Sequence, residues 1–206
     1  MPVLEVYADV CCPFTHVGLR RLLAARDARG SDVALVVRAW PLELVNGVPI
    51  DRTLVSHEVR ALRAQVAPDL FASFDASAFP VTSIPAFGVA AAAFAHSSTL
   101  GESVSLALRD AVFEQGLDVA DPGVLGEVAA ASGIAVPDPA WTHARVRADW
   151  HEGRRRGVVG SPHFFVDEQS AFCPALRILR TTDGGYDIRA DDDRLAAFLD
   201  DAFGPG

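Results

Sequence analysis

The chain has 206 residues, half of them hydrophobic, with three cysteines and a formal net charge of −9. That length and apolar share suffice for one domain with a proper core, or for one domain carrying a large insertion. The acidic balance, with a pI near 5.0, disfavours nucleic acid as a partner, because no uniform basic footprint is present. The longest apolar run, Ile84 to Ala95, is too short and too rich in alanine to span a bilayer, so no membrane partner is expected. The start, Met-Pro-Val-Leu-Glu-Val-Tyr, lacks a basic segment and a cleavage site, so no signal peptide is evident. Three cysteines without an export signal suggest a reducing compartment, and the chain reads as cytoplasmic.

In chain order, Val3–Ala8 predicts a strand from its β-branched and aromatic content, and residues 13–29 predict a helix stopped by Gly30. Between them lie two adjacent cysteines and Pro13. Proline suits the first helical position, where its missing N–H has no intrahelical partner in any case. Cys12 then stands at the helix N-terminus, where free N–H groups and the dipole favour a negative charge. The expectation is an acidic, reactive thiolate. Val33–Ala39 predicts a strand buried on both faces, which completes a right-handed βαβ unit. From about residue 55 to 156 the pattern turns helical, with helices over 57–67, 85–96, 100–115, 122–132 and 140–156. Asp121-Pro122 and Asp138-Pro139 read as cap plus first-turn proline, and Gly116 and Gly133 as stops. Gly157–Val166, a polar turn over 167–170 and Ala171–Leu176 predict a hairpin, and a last helix over 194–203 follows three aspartates.

The segment Asp9-Val-Cys-Cys12-Pro13-Phe14-Thr15-His-Val-Gly18 resembles the active-site segment of the DsbA family of thioredoxin-like proteins, Asp-x-x-Cys-Pro-x-Cys. Gly157–Val166 resembles that family's Gly-Val-x-Gly-x-Pro-x-Phe run, whose proline is cis and faces the active-site cysteine. The branch to which both are similar comprises FrnE-like proteins, 2-hydroxychromene-2-carboxylate isomerase-like proteins and kappa-class glutathione transferases. The resemblance implies an α/β thioredoxin-like fold with a large helical insertion. Residues 1–50 and 157–206 would form the thioredoxin-like domain, and 51–156 the inserted helical domain. One departure matters: the second cysteine of the family motif is Thr15 here. Dithiol chemistry through residues 12 and 15 is not available.

The resemblance then implies thiol–disulfide exchange with Cys12 as a monothiol nucleophile. The alternatives are a glutathione- or mycothiol-dependent isomerase or transferase, and a non-catalytic binding protein using the same groove. Each candidate residue also has a plainer reading. Cys12 is otherwise an inherited but inert cysteine. Thr15 either donates a hydrogen bond to a Cys12 thiolate or bonds backbone in the first helical turn. Cys173, in Phe172-Cys173-Pro174, is either a small buried residue or a replacement for the missing resolving thiol. Cys11 reads as packing, since a bridge between adjacent cysteines needs a strained backbone. Pro13, Phe14, Ser161, Pro162 and His163 are the candidate substrate-binding residues. Ser161 and Pro162 would offer a backbone edge on which a peptide or a glutathione-like thiol lies extended.

His16 and His163 could tune the thiolate, with a partly exposed histidine as the plainer reading of each. Asp9 reads as a turn residue. Arg154–Arg156 could hold an anionic thiol cofactor, or simply be a solvated helix end. No phosphate loop, zinc-spaced Cys/His cluster or Ser/His/Asp arrangement is legible, so no metal is expected. No tightly bound cofactor is expected either. The expected partners are a small thiol or disulfide and protein thiols, and a homodimer stays open.

Overall fold

A computed structural model describes residues 3–203; the first two residues, on which part of the leader reading rests, lie outside the described residues. The elements run β1 (Leu4–Ala8), α1 (Pro13–Ala28), β2 (Leu35–Ala39), α2 (Leu42–Asn46), α3 (Arg52–Gln65), α4 (Ile84–His96), α5 (Ser98–Phe113), α6 (Pro122–Ala131), α7 (Pro139–Arg155), β3 (His163–Val166), β4 (Gln169–Phe172), β5 (Leu176–Arg180), β6 (Tyr186–Ala190) and α8 (Asp192–Phe203). Four strands form one sheet in the order β2-β1-β3-β4. β1 lies parallel to β2 and antiparallel to β3. This is a DsbA-like thioredoxin fold, α/β, with helices α2–α7 inserted between β2 and β3.

Alternation along β1 sends its side chains to two different cores. Leu4, Val6 and Ala8 join Phe164 and Val166 against α1 and α8. Tyr7 faces the other way, with Phe165, Trp40 and Val158. Helix α7 reaches that second face through Gly153, where a Cβ would meet the Trp40 ring at 2.6 Å and the Tyr7 ring at 2.9 Å. Gly153→Ala is therefore expected to destabilise by about 1–3 kcal/mol through overpacking, read as a lower urea midpoint at unchanged slope. A third, larger core unites the inserted helices and extends to Val10, Cys11, Cys173 and Ile188.

The predicted caps hold in detail. Asp121 accepts from the N–H groups of Gly123 and Val124, and Asp138 from that of Trp141. Two expectations need correction. Helix α3 begins at Arg52, capped by Asp51, five residues before the predicted start, because Asp51 accepts the Thr53 N–H. The strand predicted over 171–176 breaks at Cys173. That residue has φ 47, and Pro174 has no N–H for a ladder. Leu176 instead opens a separate two-stranded sheet, β5-β6, which packs on α3.

Candidate functional site

The site forms where β1 ends. Asp9 is fully buried, and its Oδ1 accepts the Cys11 N–H at 2.8 Å, which tightens the turn into α1. Its Oδ2 accepts the Leu42 N–H at 2.6 Å and the Ser83 hydroxyl at 3.3 Å, so one carboxylate ties the turn to α2 and to the start of α4. Cys12 is the N-cap of α1, with Pro13 in the first turn.

Opposite stands the β3 entry, whose Ser161–Pro162 peptide bond is cis. The Cys12 thiol donates to the Ser161 carbonyl at 3.4 Å. The Ser161 hydroxyl accepts the Asp9 N–H at 2.8 Å and lies 2.7 Å from Thr15 Oγ1. The next carbonyl, that of Pro162, accepts the Cys173 N–H at 2.9 Å. Cys12 and Cys173 thus engage consecutive carbonyls of one loop. All three cysteines are buried free thiols.

The expected acidic thiol is corrected by this burial. Cys12 is only 4% exposed, and loss of solvation pushes its pKa above the ordinary value. The Thr15 hydroxyl and N–H pull the other way, Glu58 pushes it up further, and Ser161 opposes. The resting residue is a protonated thiol. Thr15 and Ser161 form a hydroxyl pair that can reverse: when Ser161 donates to Thr15, the Thr15 proton is free to turn toward sulfur. Thr15→Val removes that donor, and Cys12 alkylation at neutral pH should slow by about tenfold, the equivalent of one pKa unit. An unchanged rate would leave Thr15 a packing residue. Cys173 is pushed up to about 12 by burial first and then by the Cys12 sulfur, which repels a second thiolate once it has lost its own proton. Cys11 is raised well above its usual value by burial and by Asp9.

Both histidines are buried, not partly exposed. His16 Nε2 donates to Glu114 at 2.6 Å, and Glu114 also accepts the N–H groups of Phe71 and Ala72. Burial holds the imidazole down to about 4, so at neutral pH this contact joins a neutral ring to a carboxylate and is not an ion pair. His163 Nδ1 accepts the Val159 N–H at 3.2 Å, and its ring lies 4.6 Å from that of Phe165. Arg156 is also engaged: it pairs with Glu5 at 2.6 Å and covers the Phe165 ring. Arg155 pairs with Glu152 within α7. On the Ser161–Pro162 edge the two carbonyls accept from the Cys12 thiol and the Cys173 N–H.

Asp9 and His16 act on stability in opposite senses. Burial raises the Asp9 carboxyl from 3.8 to about 6, so the folded state holds that proton more tightly. Its contribution therefore falls by about 3 kcal/mol as pH rises from about 4 to about 6. His16 is depressed from 6.5 to about 4, so the folded state binds its proton less tightly, and its contribution rises by about 3 kcal/mol over nearly the same window. The two oppose one another across this window, so removing one should expose the slope of the other. Asp9→Asn leaves the His16 slope alone, so its Tm should climb with pH there. Thermal melts across the window decide it, and a flat profile in Asp9→Asn would contradict the assignment.

Four residues around the site, Glu58, Tyr186, Glu114 and Arg109, are not among the candidates read from the sequence. Glu58, on α3, receives the Tyr186 hydroxyl at 3.0 Å, and the Tyr186 ring sits 6.0 Å from that of Phe14, so α3 and β6 wall one side of the site. Glu114 anchors the loop before α4 through Phe71. Arg109 lies fully buried on α5, and its signal in the sequence was a charge within the helix's apolar stripe. Among the described residues no group of three or more His, Cys, Asp or Glu side chains could hold a metal. None of the described helices is long and apolar enough to cross a membrane.

No curated protein matches this chain. Among solved structures, the chain is similar to the cytosolic disulfide reductase DsbM from Pseudomonas aeruginosa, at 21% identity and TM-score 0.58 with 97% of each chain covered. It is also similar to a probable DsbA oxidoreductase from Streptomyces coelicolor, at 20% identity and TM-score 0.65, covering 99% of this chain and 91% of that one. A 2-hydroxychromene-2-carboxylate isomerase aligns at 14% identity and TM-score 0.58, covering 82% and 88%. At these identities the likeness is one of fold. The model of the DSBA-like thioredoxin domain matches residues 3–180, nearly the whole chain, and the protein belongs to that family.

Proposed function

We propose that this chain is a monothiol thiol–disulfide oxidoreductase working in a reducing compartment, with Cys12 as the attacking sulfur. The observation that carries the reading is the convergence on Cys12 of the α1 N-terminus, the Thr15–Ser161 hydroxyl pair and the Ser161 carbonyl. In the first step Cys12 releases its proton and attacks one sulfur of a small disulfide. A Cys12 mixed disulfide forms, and the other half leaves as thiolate. In the second step a low-molecular-weight thiolate, glutathione or mycothiol, attacks the mixed disulfide and frees Cys12 as a new small disulfide departs. Cys173 is the intramolecular alternative: its thiolate would displace the substrate half and leave a Cys12–Cys173 disulfide for two external thiols to reduce. DsbM, one of the fold neighbours, was also solved with GSH, which supports testing glutathione first.

A second reading has a specific observation behind it. A resting protonated Cys12 is a hydrogen-bond donor, suited to polarising a bound thiol cofactor without forming a disulfide, as an isomerase or transferase would require. Glutathione-dependent reduction of 2-hydroxyethyl disulfide by wild type and Cys173→Ser separates these readings. Turnover in both makes a small thiol the resolver. Turnover lost in Cys173→Ser gives that role to Cys173. No turnover in either, with glutathione still bound, selects the transferase reading.

A further inference from the structure

Helix α5 carries a guanidinium where its packing calls for an apolar side chain. Gly101, Val104, Ser105, Leu108, Ala111 and Val112 make its buried stripe, and Arg109 lies among them with no exposed surface. Nη1 donates to the Ser105 carbonyl at 2.9 Å and to its hydroxyl at 2.6 Å, and Nη2 donates to the Asp9 carbonyl at 3.3 Å. Nε has no partner. The bonds of the Asp9 carboxylate go elsewhere, to Cys11, Leu42 and Ser83. A buried cation held only by neutral acceptors is costly, and methionine fills such a space without that cost. Packing does not explain it.

Its placement does. The Asp9 carbonyl that receives Nη2 also receives the Cys12 N–H, at 3.4 Å, so one oxygen joins the guanidinium to the cysteine turn. We propose that Arg109 is a positioning residue for the thiol step, holding a fixed positive charge behind the Asp9–Cys12 turn. That charge offsets the buried Asp9 carboxylate and stabilises the thiolate formed when the Cys12 proton leaves the Ser161 carbonyl for solvent. The inference rests on the reading of Cys12 as the nucleophile. The other ionisable groups around the two adjacent cysteines are Asp9, Glu43 from α2, Glu58 from α3, Asp118 beyond α5, and Cys173. The carboxylates oppose a thiolate, Asp9, Glu43 and Asp118 at Cys11 and Glu58 at Cys12, whereas Arg109 favours one at Cys11 and is coupled to Cys12 as well. Burial lowers its own pKa to about 10, and the Asp9 carboxylate is the foremost neighbour opposing that fall.

The test follows iodoacetamide labelling of the Cys12 peptide by mass spectrometry, from about pH 6 to about pH 10, across the range where perturbed thiols titrate. Wild type is compared with Arg109→Met, Arg109→Gln and Arg109→Lys. Methionine fills the site, glutamine keeps a donor for the Asp9 carbonyl without the charge, and lysine keeps the charge. The neutral variants should move the Cys12 titration upward and slow labelling at neutral pH by about tenfold or more. Lysine should restore most of the rate. Urea unfolding identifies which neutral variant is folded, and either one suffices. An unmoved titration in a folded neutral variant overturns the role of Arg109 while leaving Cys12 reactive. A native wild type whose Cys12 labels at no pH overturns the Cys12 reading, and this inference with it.

Discussion

Cys12→Ser should abolish turnover with small disulfides, by about 10³-fold or more, while leaving the fold intact. Serine is nearly the same size, sits well at a helix N-cap, and can donate to the Ser161 carbonyl just as the thiol does. Its hydroxyl does not ionise near neutral pH and forms no mixed disulfide, so nothing remains to attack. Unfolding by urea should show equal or slightly higher stability, since a capping hydroxyl replaces a weak thiol donor. The paired result matters: lost turnover with a retained fold assigns the chemistry to sulfur. If turnover survives in Cys12→Ser, the attacking sulfur is not that of Cys12 and the proposed chemistry fails.

Asp9→Ala should cost about 2–4 kcal/mol of stability near neutral pH. The side chain leaves behind two buried backbone donors, on Cys11 and Leu42, and the Ser83 hydroxyl, each worth about 1–3 kcal/mol when stranded. Relief of a buried carboxylate offsets part of this. Below its pKa of about 6 the wild-type group is protonated and more stabilising, so the variant should lose more at about pH 5 than at about pH 7.5. Denaturant midpoints at the two pH values measure it. Equal losses at both would mean that the carboxyl does not titrate in this window.

What the sequence made legible was local. Pro13 at the first helical turn, Asp121 and Asp138 as caps, and the alternation of β1 are read over a few residues, and each physical cause acts over the same range. Cys12 at the N-cap belongs to this class. Its protonation state does not, because it is decided by what covers the sulfur: Ser161, which lies 149 residues away in the chain, Thr15 and the inserted helices. A helix N-terminus lowers the pKa of an exposed cysteine, and burial outweighs that effect at this one. Asp9 shows the same division. Its turn bond to Cys11 was readable, whereas its acceptor bonds to Leu42 and Ser83 are tertiary.

The break at Cys173 was hidden for another reason. Ala171–Leu176 is apolar enough to pass for one strand, although Pro174 within it opposes a continuous ladder, and the backbone reversal at Cys173 splits it between two sheets. That reversal sets the Cys173 N–H on the Pro162 carbonyl, one residue along from the carbonyl that Cys12 engages.

The most direct measurement is the intact mass of unreduced wild-type protein after incubation with oxidised glutathione, followed by peptide mapping of the cysteines. Modification is expected at Cys12, as a single glutathione adduct or as a peptide linked to Cys173, with Cys11 free in either case. Recovery of all three cysteines as free thiols, in protein that is folded and has access to the disulfide, would contradict it.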